Sequence, residues 1–131
     1  MGIRYEPAPD IERQIHMIAE KLGFRHLQLS RLKTFRSKGS KSRAIARCHA
    51  LPKIMQHAID IDAYYVIEVI AEKFDRLDEE EQTKTLIHEM LHIPKSFGGG
   101  FRHHDFVCDK NINAFYKRLQ ANLNLRREMG E

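Results

Sequence analysis

The chain has 131 residues, 42% of them hydrophobic and 31% charged, with a net charge of +4. That length suits one domain with a modest core, no stretch approaches the ~18 apolar residues of a membrane span, and the mild positive charge permits acidic or nucleic-acid partners without demanding them. The first residues, MGIRYEPAPDIERQ, lack the apolar core of a secretory signal, Glu6 breaks the myristoylation pattern that Gly2 begins, and Cys48 and Cys108 read as free thiols of a reducing, cytoplasmic setting.

In chain order, Ile11, Ile15, Ile18 and Leu22 recur at helical spacing. Asp10 is a candidate N-cap and Gly23 a C-terminal stop, which predicts a first helix between them. A strand follows from about Phe24 to Arg36, with Leu27 and Leu29 alternating. RSKGSKSR (36–43) then reads as a loop and AIARCHAL (44–51) as a second strand, together a β-hairpin with a basic tip. Residues 52–63 suggest a turn and a short helix. Tyr64 to Ile70 is the best strand in the chain, rich in β-branched and aromatic residues. Placed at the sheet edge, it could bind an extended peptide by strand addition. The acids of 78–82 suit the N-terminus of a helix running from about Glu79 to Ile93, with Pro94 as its stop. After the glycines at 98–100 a last helix is predicted from about His104 to Leu123. The tail from about 124 to 131 is polar and expected to fray. Nothing divides the chain, so a single domain over 1–131 is expected.

His88-Glu89-Met90-Leu91-His92 carries the chemistry. Four residues apart on a helix, two imidazoles lie on one face and can grip one Zn²⁺, and the intervening Glu can act as general base on the metal's water. A catalytic zinc takes three protein ligands and leaves a position for water. His103 and His104 both follow the triglycine turn and are the candidates for the third. His104 is favoured, because from it Cys108 and Ile112 continue along one helical face. Cys108 could also ligate, but a fourth protein ligand would close the open position. Arg102, His103 and Tyr116 are candidate donors to a developing oxyanion. Asp105 and Asp109 are candidate carboxylates for the second nitrogen of a ligating His.

The segment TLIHEMLHIPKSFGGGFRHHDF resembles the small metallopeptidases of archaea and phages, which are zincin-like and related in character to the SprT-like metalloproteases. Their pattern, an H-E-L-L-H-I-P run, a Gly-rich loop, a basic residue and a His, maps onto His88, Glu89, His92, Ile93, Pro94, Gly98 to Gly100, Arg102 and His104. The likeness extends upstream through ARCHALPKIMQHAI, YYVIEVI and KFDRLDEEEQ, covering roughly residues 44–120. Met90 stands in place of the commoner Leu, and His103 departs from the pattern. The resemblance implies His88, His92 and His104 as zinc ligands and Glu89 as general base. It also implies an α+β, minimal zincin-like fold, with a small, mostly antiparallel sheet on an active-site helix and flanking helices. The expected activity is that of a zinc peptidase on peptide or protein substrates.

Arg31, Lys33, Arg36, Lys38, Lys41, Arg43 and Arg47 crowd the expected hairpin, either as a phosphate-contacting finger or as a solvated, aggregation-resistant edge. Glu68 interrupts an apolar strand; it could line the cleft, support a ligating His or simply face outward. His16, His26, His49 and His57 are scattered and read as surface or core imidazoles. Tyr64 and Tyr65 read as packing residues and Cys48 as a small buried one. Two other functions compete with a peptidase. One is a nucleic-acid module with a structural metal and a basic hairpin; the other is a zinc hydrolase acting on a non-peptide substrate. Glu89 argues against the first, since a structural site has no use for a base beside its ligands.

Overall fold

The computed structural model describes residues 2–128 and 130. Ile11, Ile15, Ile18 and Leu22 are all buried along one face of helix α1 (Pro9–Leu22). Each such burial contributes roughly 1.5–3 kcal/mol. Pro9 supplies the first helical position, where a missing N–H costs nothing. Gly23 ends the helix with φ 67°, the left-handed stop its position predicts. Asp10 is not the cap; Ala8 precedes the helix, and Asp10 lies in its first turn. There its carboxylate accepts two hydrogen bonds from the Arg36 guanidinium, both at 2.7 Å.

The sheet has four strands, β1 (Arg4–Pro7), β2 (Leu32–Lys38), β3 (Ala46–Ala50) and β4 (Tyr65–Ile70), in the order β1-β2-β4-β3. β1 and β2 are antiparallel, β2 and β4 parallel, and β4 and β3 antiparallel. The sheet is therefore mixed, and the expected hairpin does not form. β2 and β3 do not pair with each other; they flank β4. The reason lies in β4 itself. Tyr65, Ile67, Val69 and Ile70 are all fully buried, so this strand needs a neighbour on each side. Residues 39–45 are a crossover past the end of β4, held where the Ile70 amide donates to the Ile45 carbonyl. Nor does β4 form the sheet edge: β1 and β3 do.

The strand expected from Phe24 begins only at Leu32. After Gly23 the chain makes local turn bonds, such as Leu27 N–H to the Phe24 carbonyl, and a 3₁₀ turn over Leu29–Arg31. β1 is short and largely exposed, with no apolar alternation to announce it. A short helix α2 spans Lys53–Ile59, and α3 (Ala71–Phe74) follows β4 directly.

Helix α4 (Glu79–Leu91) packs on β3 and on α5 (Asp109–Glu128), and α1 packs on β2 and α5. Together they cover the sheet face that carries Leu32, Tyr65, Ile67 and Val69. α5 starts five residues later than expected, because the Phe106 and Val107 amides both bond the His103 carbonyl and turn the chain first. It continues through Glu128, past the point where fraying was expected; Met129 and Glu131 lie outside the described residues. Among the described residues no helix is long and apolar enough to cross a membrane.

Arg36 ties α1 to β2, and its hydrogen bonds hold the Asp10 carboxyl down from 3.8 to about 2. A carboxyl lowered in the folded state stabilises above its unfolded pKa and loses that contribution as pH falls through the folded one. Asp10→Asn should therefore be less stable than the parent near neutrality. Half the Asp10 side chain is exposed, so screening keeps the gap to about 1 kcal/mol or less. In urea melts the gap should close between about pH 4 and pH 2; a gap constant with pH would disprove the linkage.

Candidate metal centre

Helix α4 begins at Asp78, whose carboxylate accepts from the Glu81 amide at 2.8 Å, with Glu79, Glu80 and Glu81 in the first turn. Both features satisfy the positive end of the helix dipole. Leu86, Ile87, Met90 and Leu91 are buried and fix its rotation. His88 and Glu89 lie in its last turn. The helix stops at Leu91, two residues short of the expected end, and His92 is its C-cap. His92 keeps a right-handed backbone (φ −67°, ψ −20°), so its ring still stands one turn beyond His88. The two ring centroids are 5.0 Å apart.

The third imidazole arrives by a loop. Gly99 has φ +109°, and a Cβ there would lie 2.6 Å from Gln56 Nε2 and 2.9 Å from the Leu51 carbonyl oxygen. Only glycine fits so close an approach. The Tyr65 hydroxyl on β4 accepts from the Gly99 amide at 2.9 Å and donates to the Gly100 carbonyl at 2.7 Å. Gln56 on α2 donates to the Leu51 and Gly98 carbonyls. The Arg102 amide then donates to the His92 carbonyl at 2.7 Å, and His104 follows in a turn. His104 is thus not on α5, and no helical face joins it to Cys108 and Ile112.

His104 joins the pair all the same. Its ring lies 5.8 Å from His88 and 5.1 Å from His92, and one nitrogen from each of the three falls within 4.8 Å of the others. Such a group could hold a metal ion. His92 Nδ1 lies 2.8 Å from the Arg102 carbonyl, which can only accept, so Nδ1 carries the proton and Nε2 keeps its lone pair. Burial, followed by the charges of His92 and His104, lowers the His88 pKa, with Asp109 opposing. The Glu89 side chain lies beside them, its Oε2 3.9 Å from His88 Nε2. It is 8% exposed, and burial raises its carboxyl to about 7. Two clefts meet here, sharing Ala46, His88 and Glu89. One of ≈ 560 Å³ runs towards Arg43, Lys84 and Asp109, and one of ≈ 400 Å³ towards Phe101 and His103.

The other candidates fall in varied places. His103 is exposed, lines the smaller cleft and is outside the cluster. Arg102 contributes its backbone to His92 and lays its guanidinium 4.4 Å over the Phe106 ring. Asp105 accepts from the Phe106 amide, and Cys108 is a free thiol outside the cluster. Tyr116, on α5, lies under the Lys84 ammonium of α4 and lines neither cleft. Glu68 is buried and paired with His49 Nε2 at 2.7 Å, and it too lines neither cleft. Burial alone would raise the Glu68 carboxyl; Ser37, His49 and Arg47 outweigh it and hold it low. Cys48 borders the smaller cleft, and burial, then the Glu89 charge, raises its pKa. Of the basic residues, Arg31 pairs with Asp62, Arg36 with Asp10 and Asp75, and Lys38 with Glu6. Tyr65 and Gln56, which set the loop, escaped sequence reasoning. Nothing in the local pattern separates such a tyrosine from a core aromatic.

The fold is α+β, and its three-histidine cluster, which could hold a metal ion, lies beside a buried carboxylate. The family described as "Putative phage metallopeptidase" matches residues 3–126, and the chain belongs to that family. Metallopeptidase membership implies a metal ion and a peptide or protein substrate. No curated protein and no solved structure matches the chain.

The loop geometry makes Tyr65→Phe informative. It leaves the Gly99 amide and Gly100 carbonyl without their partner; because Gly99 is half-buried and Gly100 exposed, the cost in a urea melt should be about 0.5–1.5 kcal/mol. Amide exchange at Gly99 and Arg102 should accelerate; unchanged exchange at both would mean the hydroxyl does not hold this loop.

Proposed function

We propose that this protein is a zinc-dependent peptidase, a single domain over 1–131 acting in the cytoplasm, with His88, His92 and His104 as metal ligands and Glu89 as general base. The observation that carries this reading is the convergence of three imidazole nitrogens next to a buried carboxylate. Three nitrogens suit tetrahedral zinc with one position left open, and the protonated Nδ1 of His92 leaves the right nitrogen free. What zinc supplies when bound is Lewis acidity, which polarises a carbonyl and lowers the pKa of a water to ~7. Glu89, raised to about 7 by burial, takes the proton of the attacking water on a carboxylate oxygen and returns it to the leaving amine.

The substrate reaches the site along β3. Ala46, Arg47 and Cys48 line the clefts, and among the described residues β3 pairs with β4 alone, leaving its other edge for an extended peptide. Exposed on the smaller cleft, His103 is the donor best placed for a developing oxyanion. In this reading the domain is a minimal zincin with α4 as its active-site helix, and the kinship to SprT-like proteases rests on the segment from His88 to His104. The basic residues of 31–47 support no second reading, because β4 separates the two strands that carry most of them and three already have carboxylate partners.

Zinc content tests the ligand set. The parent should bind one zinc per chain, and His88→Ala and His104→Ala should lose it while His103→Ala keeps it. Glu89→Gln should retain zinc and lose peptidase activity by about 10²–10⁴-fold. A parent that takes up no zinc when supplied with it, or a Glu89→Gln variant of full activity, would overturn the proposal.

A further inference from the structure

Behind the metal centre lies a third and larger cavity, of ≈ 700 Å³. Its floor is apolar, formed by Leu22, Met90, Leu91, Ile93, Phe106 and Phe115 from three helices and the loop before α5. Phe24 also lines it, packed edge-on against Phe115 with ring centroids 5.3 Å apart. The rim is cationic. Lys95, Arg102 and Arg118 border it against a single carboxylate, that of Asp105. Among the described residues none of those three cations lies in an ion pair, although Arg118 also donates to the Leu22 carbonyl at 2.6 Å. His26, on the same rim, is held below its ordinary pKa by burial, followed by the charge of Arg102.

An apolar chamber of this size with a few convergent charges is the usual form of a small-molecule site. The peptidase chemistry uses neither its floor nor Lys95 and Arg118. The occupant it fits is amphipathic and anionic. A tail of several carbons would cover the apolar floor, and a carboxylate would pair with a cation of the rim in a charge-assisted hydrogen bond. Neither half suffices alone, since a bare carboxylate leaves the floor wet and a neutral tail leaves the cations unmatched.

The wall between this cavity and the metal cleft is the segment Arg102–His103, which borders both. The Arg102 backbone gives its amide to the His92 carbonyl and takes the His92 Nδ1 proton on its own carbonyl. An anion that draws the Arg102 side chain acts on the residue that orients His92.

We propose that this rear cavity binds a small organic carboxylate with an apolar tail and that its occupancy is linked, through Arg102, to metal binding at the three histidines. The linkage rests on the metal assignment above; the cavity does not. The experiment titrates octanoate into the ¹⁵N-labelled full chain, with 1-octanol and acetate as controls. Octanoate should shift the amides of Leu22, Phe106 and Phe115; 1-octanol, which lacks the charge, should bind roughly tenfold more weakly, the scale of one charge-assisted contact, and acetate, which keeps the charge and lacks the tail, should bind more than about a hundredfold more weakly. Lys95→Gln, on an exposed side chain, should weaken octanoate and leave octanol unchanged, and Arg118→Gln should do the same. Octanol binding as tightly as octanoate, or shifts absent from the cavity, would overturn the site. Zinc affinity measured with and without saturating octanoate should differ several-fold, reciprocally with the effect of zinc on octanoate. Equal affinities would overturn the linkage. A chain that binds octanoate at the cavity but no zinc would sink the metal assignment and leave the site standing.

Discussion

The three-histidine cluster depends on one constraint: His88 and His92 stand one turn apart at the end of α4, and the third imidazole must be carried to them by a loop and held. The loop between α4 and α5 does this through hydrogen bonds that side chains and backbone make to its peptide groups. The Tyr65 hydroxyl satisfies both an amide and a carbonyl of the triglycine turn. Gln56 takes two more carbonyls, and His92 and Arg102 bond each other reciprocally. Each of these groups would cost free energy if buried without a partner, so they specify one path for the chain. Tyr65 is itself locked in the central strand, with Phe97 packed on its ring at 4.8 Å. The third histidine is therefore as well placed as the sheet core allows.

Burial then sets the chemistry. Glu89 stands on the cleft side of a helix whose neighbours Leu86, Ile87, Met90 and Leu91 are all in the core. Its carboxyl is removed from water without a cation paired to it, and the charged form is disfavoured. The same removal from water disfavours a charged His88. Burial thus acts in opposite directions on the two neighbours, raising the Glu89 carboxyl and lowering the His88 imidazole. The arrangement costs stability, which the apolar side of the same helix offsets.

Positive charge is divided by the topology. Because β4 inserts between β2 and β3, the basic residues that look contiguous in sequence separate into two groups. Arg36 and Lys38 meet acids from α1, the turn after α3, and β1, and act as struts. Arg43 and Arg47 are left beside the clefts. A second concentration of cations, Lys95, Arg102 and Arg118, arises from residues distant in sequence and becomes evident only once the chain is folded.

By itself the sequence determined α1, β4 and α4, because a helical or β-branched apolar pattern must bury the same residues in almost any packing. The neighbourhood of His88, Glu89 and His92 was legible too, because His92, though it caps α4, keeps the right-handed backbone that stacks it one turn beyond His88. His104 was legible as a candidate, but for the wrong reason, since it stands in a turn and not on α5. The hairpin reading failed because local alternation says nothing about which strand a neighbour will be. β4, apolar on both faces, took a partner on each side. Only the tertiary structure decided the roles of Tyr65, Gln56 and Arg102. Their hydrogen bonds join residues up to 42 positions apart, and no local period encodes a contact that exists only after the sheet and the loop have met.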